Sequence, residues 1–138
     1  MTGKQPKRKP RPGVDVYGRI PLHSAAAAGD IEAVKQAIQA GIDINTQDDN
    51  GYTPLRFAVQ EFKVEVVKLL LDAGANPNLY DRHGNGPLWE AIGKSGRGKE
   101  ILELLLSAGV DPDKVNIYGK SPRSIALEIR HGLEKYFS

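Results

Sequence analysis

The chain has 138 residues, no cysteine and a formal net charge of +2. Disulfides, thiolate metal sites and cysteine nucleophiles are therefore excluded, and no apolar run approaches the ~18 residues of a membrane-spanning helix. Five of the 19 basic residues (Lys4, Lys7, Arg8, Lys9 and Arg11) crowd the start, so the other 14 face 17 acidic residues and the body carries −3. The isoelectric point of about 8.8 thus belongs to a tail, not to the folded surface.

Residues 1–15 hold Pro6, Pro10 and Pro12 and, after Met1, one large apolar residue, Val14. They are read as a basic disordered tail, because they can bury too little to offset ordering entropy. No apolar stretch follows the basic residues, so Met1 to Pro12 does not read as a secretory signal, and a cytoplasmic location is expected. From about Val16 the chain repeats itself. Ile20-Pro21-Leu22-His23-Ser24-Ala25 returns as Thr53-Pro54-Leu55-Arg56-Phe57-Ala58, then as Gly86-Pro87-Leu88-Trp89-Glu90-Ala91, then as Ser121-Pro122-Arg123-Ser124-Ile125-Ala126; the prolines are spaced by 33, 33 and 35 residues. Each proline suits the first turn of a helix, where its missing N–H has no partner to lose.

The first unit, 16–50, places one helix after Pro21, breaks at Gly29, and starts a second at the capping Asp30 that Gly41 ends. Its second helix carries Gln36 and Gln39, the polar character a terminal cap requires. The second unit, 51–83, has helices at Pro54 to Glu61 and Val64 to Ala73. The second of these is apolar on most sides and so should be buried on most sides. In the third unit, 84–118, two extra residues fall within Gly93–Lys99, between the helices, and the second helix runs from Glu100 to Ala108. The fourth, 119–138, is truncated. Arg123 replaces the leucine of the earlier copies, so one side faces water and the unit reads as a C-terminal cap, with Leu133, Tyr136 and Phe137 folding back over the third unit. Glycine turns at 48–51, 81–84 and 116–119 recur with the period and form hairpin-like tips.

A period near 33 with Pro-Leu-x-x-Ala segments, and helix-two runs such as Val66-Val67-Lys68-Leu69-Leu70-Leu71-Asp72-Ala73-Gly74-Ala75-Asn76-Pro77-Asn78, resembles the ankyrin repeat. The resemblance covers residues 17–138. It implies an all-α solenoid of four helix–loop–helix units with β-turn tips, the terminal units acting as caps, and a role in binding other proteins. Phe62 replaces the inter-helix glycine of unit two, and Gly86 the usual threonine of unit three. The segment from Asp81 to Ile92, the Gly-rich insertion and the run from Leu104 to Pro112 resemble small bacterial ankyrin proteins. Some of those are similar to immunity proteins of toxin–immunity pairs.

Chemistry is sparse. His23, His83 and His131 lie in three different units, and no histidine–carboxylate cluster or serine–histidine–aspartate set stands at converging spacing. His23 is read as bonding the backbone of the neighbouring turn. Gly93-Lys94-Ser95 lacks the earlier glycine and the preceding strand of a phosphate loop. No enzymatic activity, cofactor or metal is therefore expected. The basic tail has no interleaved aromatics for base stacking, and a −3 body repels phosphate, so nucleic acid is not expected as the main ligand; no membrane contact is expected.

The expected site is a protein-binding face made of the tips and first helices. Counting from the tip glycines assigns Tyr17 and Arg19 from the first unit, and Asp49, Asn50, Tyr52, Gln60 and Glu61 from the second. The third gives Tyr80, Arg82, His83, Asn85, Trp89 and Lys94, with Arg97 in the insertion. The fourth tip adds Ile117, Tyr118 and Lys120, with Glu128 beyond. Tyr, Trp and Arg carry most hot-spot energy because they join apolar area to directed polar groups. Tyr80 either makes contact or packs between tips; Trp89 and Phe62 are either contact or core residues. The partner expected is another protein, a toxin or effector domain, met by a chain that is a monomer alone. The alternative is a scaffold in a signalling or regulatory complex.

Overall fold

A computed structural model describes residues 11–93, 99–129 and 132–137. Its described residues form helices and turns, with no strand. The helices come in pairs: α1 (Pro21–Ala28) with α2 (Ile31–Gln39), α3 (Pro54–Gln60) with α4 (Val64–Asp72), α5 (Pro87–Ile92) with α6 (Lys99–Ser107), and α7 (Pro122–Ile129) with the short α8 (Glu134–Phe137). First helices stack in the order α1, α3, α5, α7, and second helices in the order α2, α4, α6. The expected boundaries hold to within a residue or two. Asp30 caps α2 by accepting from the Ala33 N–H at 3.2 Å, and Thr53 caps α3 by accepting from Arg56.

The core runs between the two layers. Leu55, Val59, Val66, Val67, Leu70, Leu88, Ile92, Ile101, Leu102 and Leu105 are buried within it, with Leu22 and Val34 at one end and Leu133 and Phe137 at the other. Val66, Val67 and Leu70 are buried on one face of α4, while Val64, Leu69 and Leu71 are only partly covered, so the helix is not buried on most sides as its apolar sequence suggested. His23 does what its position suggests. Its Nδ1 accepts the Ile20 N–H at 3.0 Å, which puts the ring proton on Nε2, and that N–H donates to the Tyr52 carbonyl at 3.0 Å. A buried ring thus ties unit one to unit two.

Two departures from the repeat have local causes. Phe62 takes the left-handed conformation (φ +58°) of the inter-helix turn, as Gly29 does in unit one (φ +74°), while its ring packs against the core. At Gly86 an added Cβ would stand 3.1 Å from the Tyr80 ring, so the large side chain at position 80 occupies the space a threonine would need. Tyr80 also donates to the Asn78 side chain at 3.2 Å, and burial pushes its hydroxyl's pKa up. Arg123 bonds Asp113 at 2.7 Å and the Phe137 carbonyl, and Tyr136 reaches Glu103 of α6 at 3.4 Å, so the last helix folds back as expected.

Candidate partner-binding face

Each tip is built on one carboxylate or amide. Asp15, Asp48, Asp81 and Asn116 each offer Oδ1 to two backbone N–H groups, two and four residues on, at 2.8 to 3.0 Å. A glycine three residues on (Gly18, Gly51, Gly84 and Gly119) takes positive φ and closes the turn. Asp15 lies in the stretch expected to be tail, yet it starts the first tip, and Arg11 before it grips Asp49 with two bonds of 2.9 and 2.8 Å. The side-chain spacing of 33, 33 and 35 residues from Asp15 through Asp48 and Asp81 to Asn116 would have revealed this first tip from sequence.

The N–H groups of Arg19 and then Tyr17 hold the Asp15 carboxyl below the usual carboxylate range, despite some opposing desolvation. A depressed folded-state pKa stabilises above the ordinary value, and that stability is lost as pH falls through the depressed one. Acid is therefore expected to open this tip. Amide exchange at Tyr17 and Arg19, corrected for intrinsic rate, should rise below the usual aspartate range in wild type and be fast at all pH in Asp15→Ala.

A charged network joins units two and three. Arg56, in the place of His23, is buried; its guanidinium meets Asp81 Oδ2 at 3.3 Å, the Asn85 carbonyl at 3.0 Å and Glu90 at 3.2 Å. The Tyr52 ring lies 4.4 Å from it and the Phe57 ring packs edge-on to Tyr52. Sequence reading did not assign Arg56, Asp81 and Glu90 this role, since only packing makes them neighbours.

Several expected contact residues are therefore engaged inside the fold. Arg19 bonds the buried Asp48 at 3.2 Å and lies over the Tyr17 and Phe57 rings at 4.8 and 5.0 Å. Tyr52 belongs to the Arg56 network, and Asn85 accepts from Asn116 at 3.0 Å. Trp89 is half-buried beside Tyr80, Leu88, Val110 and Pro122, around a space of about 10 Å³ that would hold at most one water. Lys120 pairs with Glu128 at 2.7 Å. Gln60 and Glu61 end α3, with Glu61 exposed, and Tyr17, Asp49, Arg82, Ile117 and Tyr118 are exposed at tips. Lys94 and Arg97 lie outside the described residues, as does His131.

Four expected residues converge. Asn50, Tyr52, Arg82 and His83, with Asp81, line a cleft of about 140 Å³ between the second and third tips. The neighbouring junctions are closed by backbone bonds: Asp49 N–H donates to the Tyr17 carbonyl at 2.8 Å, and Ile117 N–H to the His83 carbonyl at 2.9 Å. No such bond joins Arg82 to Asn50. His83 stacks on Tyr118 with ring centres 6.3 Å apart, and its Nδ1 is buried without a hydrogen-bond partner. Neither Glu61 nor Arg82 makes an ion pair with another described residue. Among the described residues, no three His, Asp or Glu side chains gather as metal ligands would. A family model described as ankyrin repeats, in three copies, matches residues 22–116. No curated protein matches the chain.

Proposed function

The chain belongs to the ankyrin-repeat family, whose stacked units are protein-binding modules, and we propose that it binds a folded protein at the cleft between its second and third tips. The observation that supports this reading is the junction itself. It is polar, lined by Asn50, Tyr52, Arg82 and His83, and lacks the backbone rung that closes its neighbours, although the Gln47 amide bridges the Gly51 and Tyr80 carbonyls beneath it at 3.1 and 3.0 Å. The groups that support it are held by Asp48, Asp81 and the buried Arg56, so little ordering cost opposes binding. Arg82 and Glu61, in no ion pair among the described residues, offer both signs of charge for steering. The function assigned is non-enzymatic occlusion: an intracellular immunity protein that covers the working surface of a toxin.

The test is co-expression with the product of the adjacent reading frame. A product toxic alone, bound one to one and silenced by this chain, is the expected result. Arg82→Glu should weaken the complex at least about tenfold, the loss of roughly one charged contact, with helicity and melting unchanged. A harmless neighbour would remove the toxin assignment and leave the scaffold reading; unaltered binding by Arg82→Glu would remove the cleft.

A further inference from the structure

Because the units repeat, their residues can be compared in columns. Five residues after each helix-starting proline stand Ala26, Val59, Ile92 and Leu127. The first three are 0, 1 and 1% exposed, each in a unit that another follows, whereas Leu127 is 42% exposed. The tip glycines agree. A Cβ at Gly18, Gly51 or Gly84 would meet the next tip at 2.5, 2.8 or 3.0 Å, while at Gly119 nothing among the described residues lies within 4 Å. The last helix, α8, packs on α7 and reaches α6 through Tyr136, in the second-helix layer. The tip and first-helix layers at this end are an uncovered unit–unit interface.

The tip columns indicate what covers it. One reads Val16, Asp49, Arg82, Ile117, and the next Tyr17, Asn50, His83, Tyr118. Both are apolar or aromatic at the two ends and polar in the middle. Every exposed large hydrophobic among the described residues belongs to the first unit or to α7, the fourth tip and Val115 just before it, with Ile117 and Tyr118 at 65 and 70%. The internal rung runs from the N–H of a tip's second residue to the carbonyl of the preceding tip's third. The rung is missing between the second and third tips, and at the two ends of the array its unused halves are the Val16 N–H and the Tyr118 carbonyl, neither of which is hydrogen-bonded among the described residues. A groove of about 400 Å³, with Val14, Ile20 and Pro21 on its wall and Asp15, Arg19 and Ser24 at its polar side, opens beside the first tip and α1.

We infer that the fourth tip and α7 of one molecule dock on the first tip and α1 of a second copy, head to tail. The second copy continues the internal register. Its Val16 N–H bonds the Tyr118 carbonyl, its Tyr17 ring meets Tyr118 as Tyr118 meets His83, and its groove receives Leu127. A polar tip would leave those apolar groups wet, and this chain carries the matching apolar tip at its other end. The contact is heterologous, so each added copy leaves one free end of each kind and the assembly grows as an open row. This replaces the expectation of a monomer alone, and it uses the outer ends of the array rather than the middle cleft.

Sedimentation over a concentration series tests it. Wild type is expected to gain mean mass with concentration without reaching a closed size. Tyr118→Ser with Leu127→Glu breaks one end, and Val16→Glu with Tyr17→Ser breaks the other; each variant is expected to stay monomeric, and their equimolar mixture to form dimers and nothing larger. A wild type that stays monomeric to its solubility limit, or a mixture that stays monomeric with both helical signals intact, overturns the inference. Should a variant lose helicity, the absence of native cysteine allows a second measurement. Val16→Cys and Ile117→Cys proteins, mixed, should cross-link to each other faster than either does to itself, and equal rates overturn the inference.

Discussion

Arg56→Met is expected to lower unfolding free energy by about 3–5 kcal/mol, the range for removing one partner of a buried ion pair. The cause is what remains. Asp81 is buried, and its Oδ2 loses the guanidinium at 3.3 Å while Oδ1 stays committed to the tip. Glu90 is better placed to turn towards water. The Asn85 carbonyl also loses its 3.0 Å donor. For a chain of this size the melting temperature should fall by about 10–17 °C. Adding Asp81→Asn separates charge burial from packing. The amide keeps an oxygen for the His83 and Asn85 N–H groups but carries no charge, so the double variant should be more stable than Arg56→Met alone. Losses that simply add would show that packing, not an unpaired carboxylate, causes the defect.

Gly51→Ala is expected to cost about 2–4 kcal/mol, and Gly119→Ala only about 1 kcal/mol, by chemical denaturation. The two glycines hold the same place in their tips, with φ of +87° and +74°, and pay the same kind of cost for a Cβ in the left-handed region. Only at Gly51 does the new methyl also strike backbone, 2.8 Å from the Asp81 Cα and 3.0 Å from the Tyr80 carbonyl oxygen. Backbone at a packed junction cannot yield as a side-chain end can. Equal losses at the two positions would mean that dihedral strain alone governs the tips.

The path of the fold was legible because it is written in local chemistry and repeated. Pro21, Pro54, Pro87 and Pro122 start helices, Asp30 and Thr53 cap them, and Gly29, Gly41, Gly74 and Gly109 end them. The role of His23 was legible too, since its partner is the next copy of the same turn. The candidate face was legible only in outline. Arg19, Tyr52, Tyr80 and Asn85 sit at tips by count, but their side chains are engaged with Asp48, Arg56, Asn78 and Asn116. A count along the chain locates a residue in its unit; it does not say whether the neighbouring unit has already claimed its polar atoms.

By itself, then, the sequence determined the number of units, their phase, and the helix and turn chemistry within each, because those depend on residues a few positions apart. Tertiary structure alone decided three things. It buried Arg56 against Asp81 and Glu90, 25 and 34 residues away. It left the junction between the second and third tips without the backbone rung that joins the other tips. It also left Leu127 exposed at a position that is buried in the earlier units. In each case the energy lies in contacts between units, where identical local sequence has different consequences according to what stacks on it.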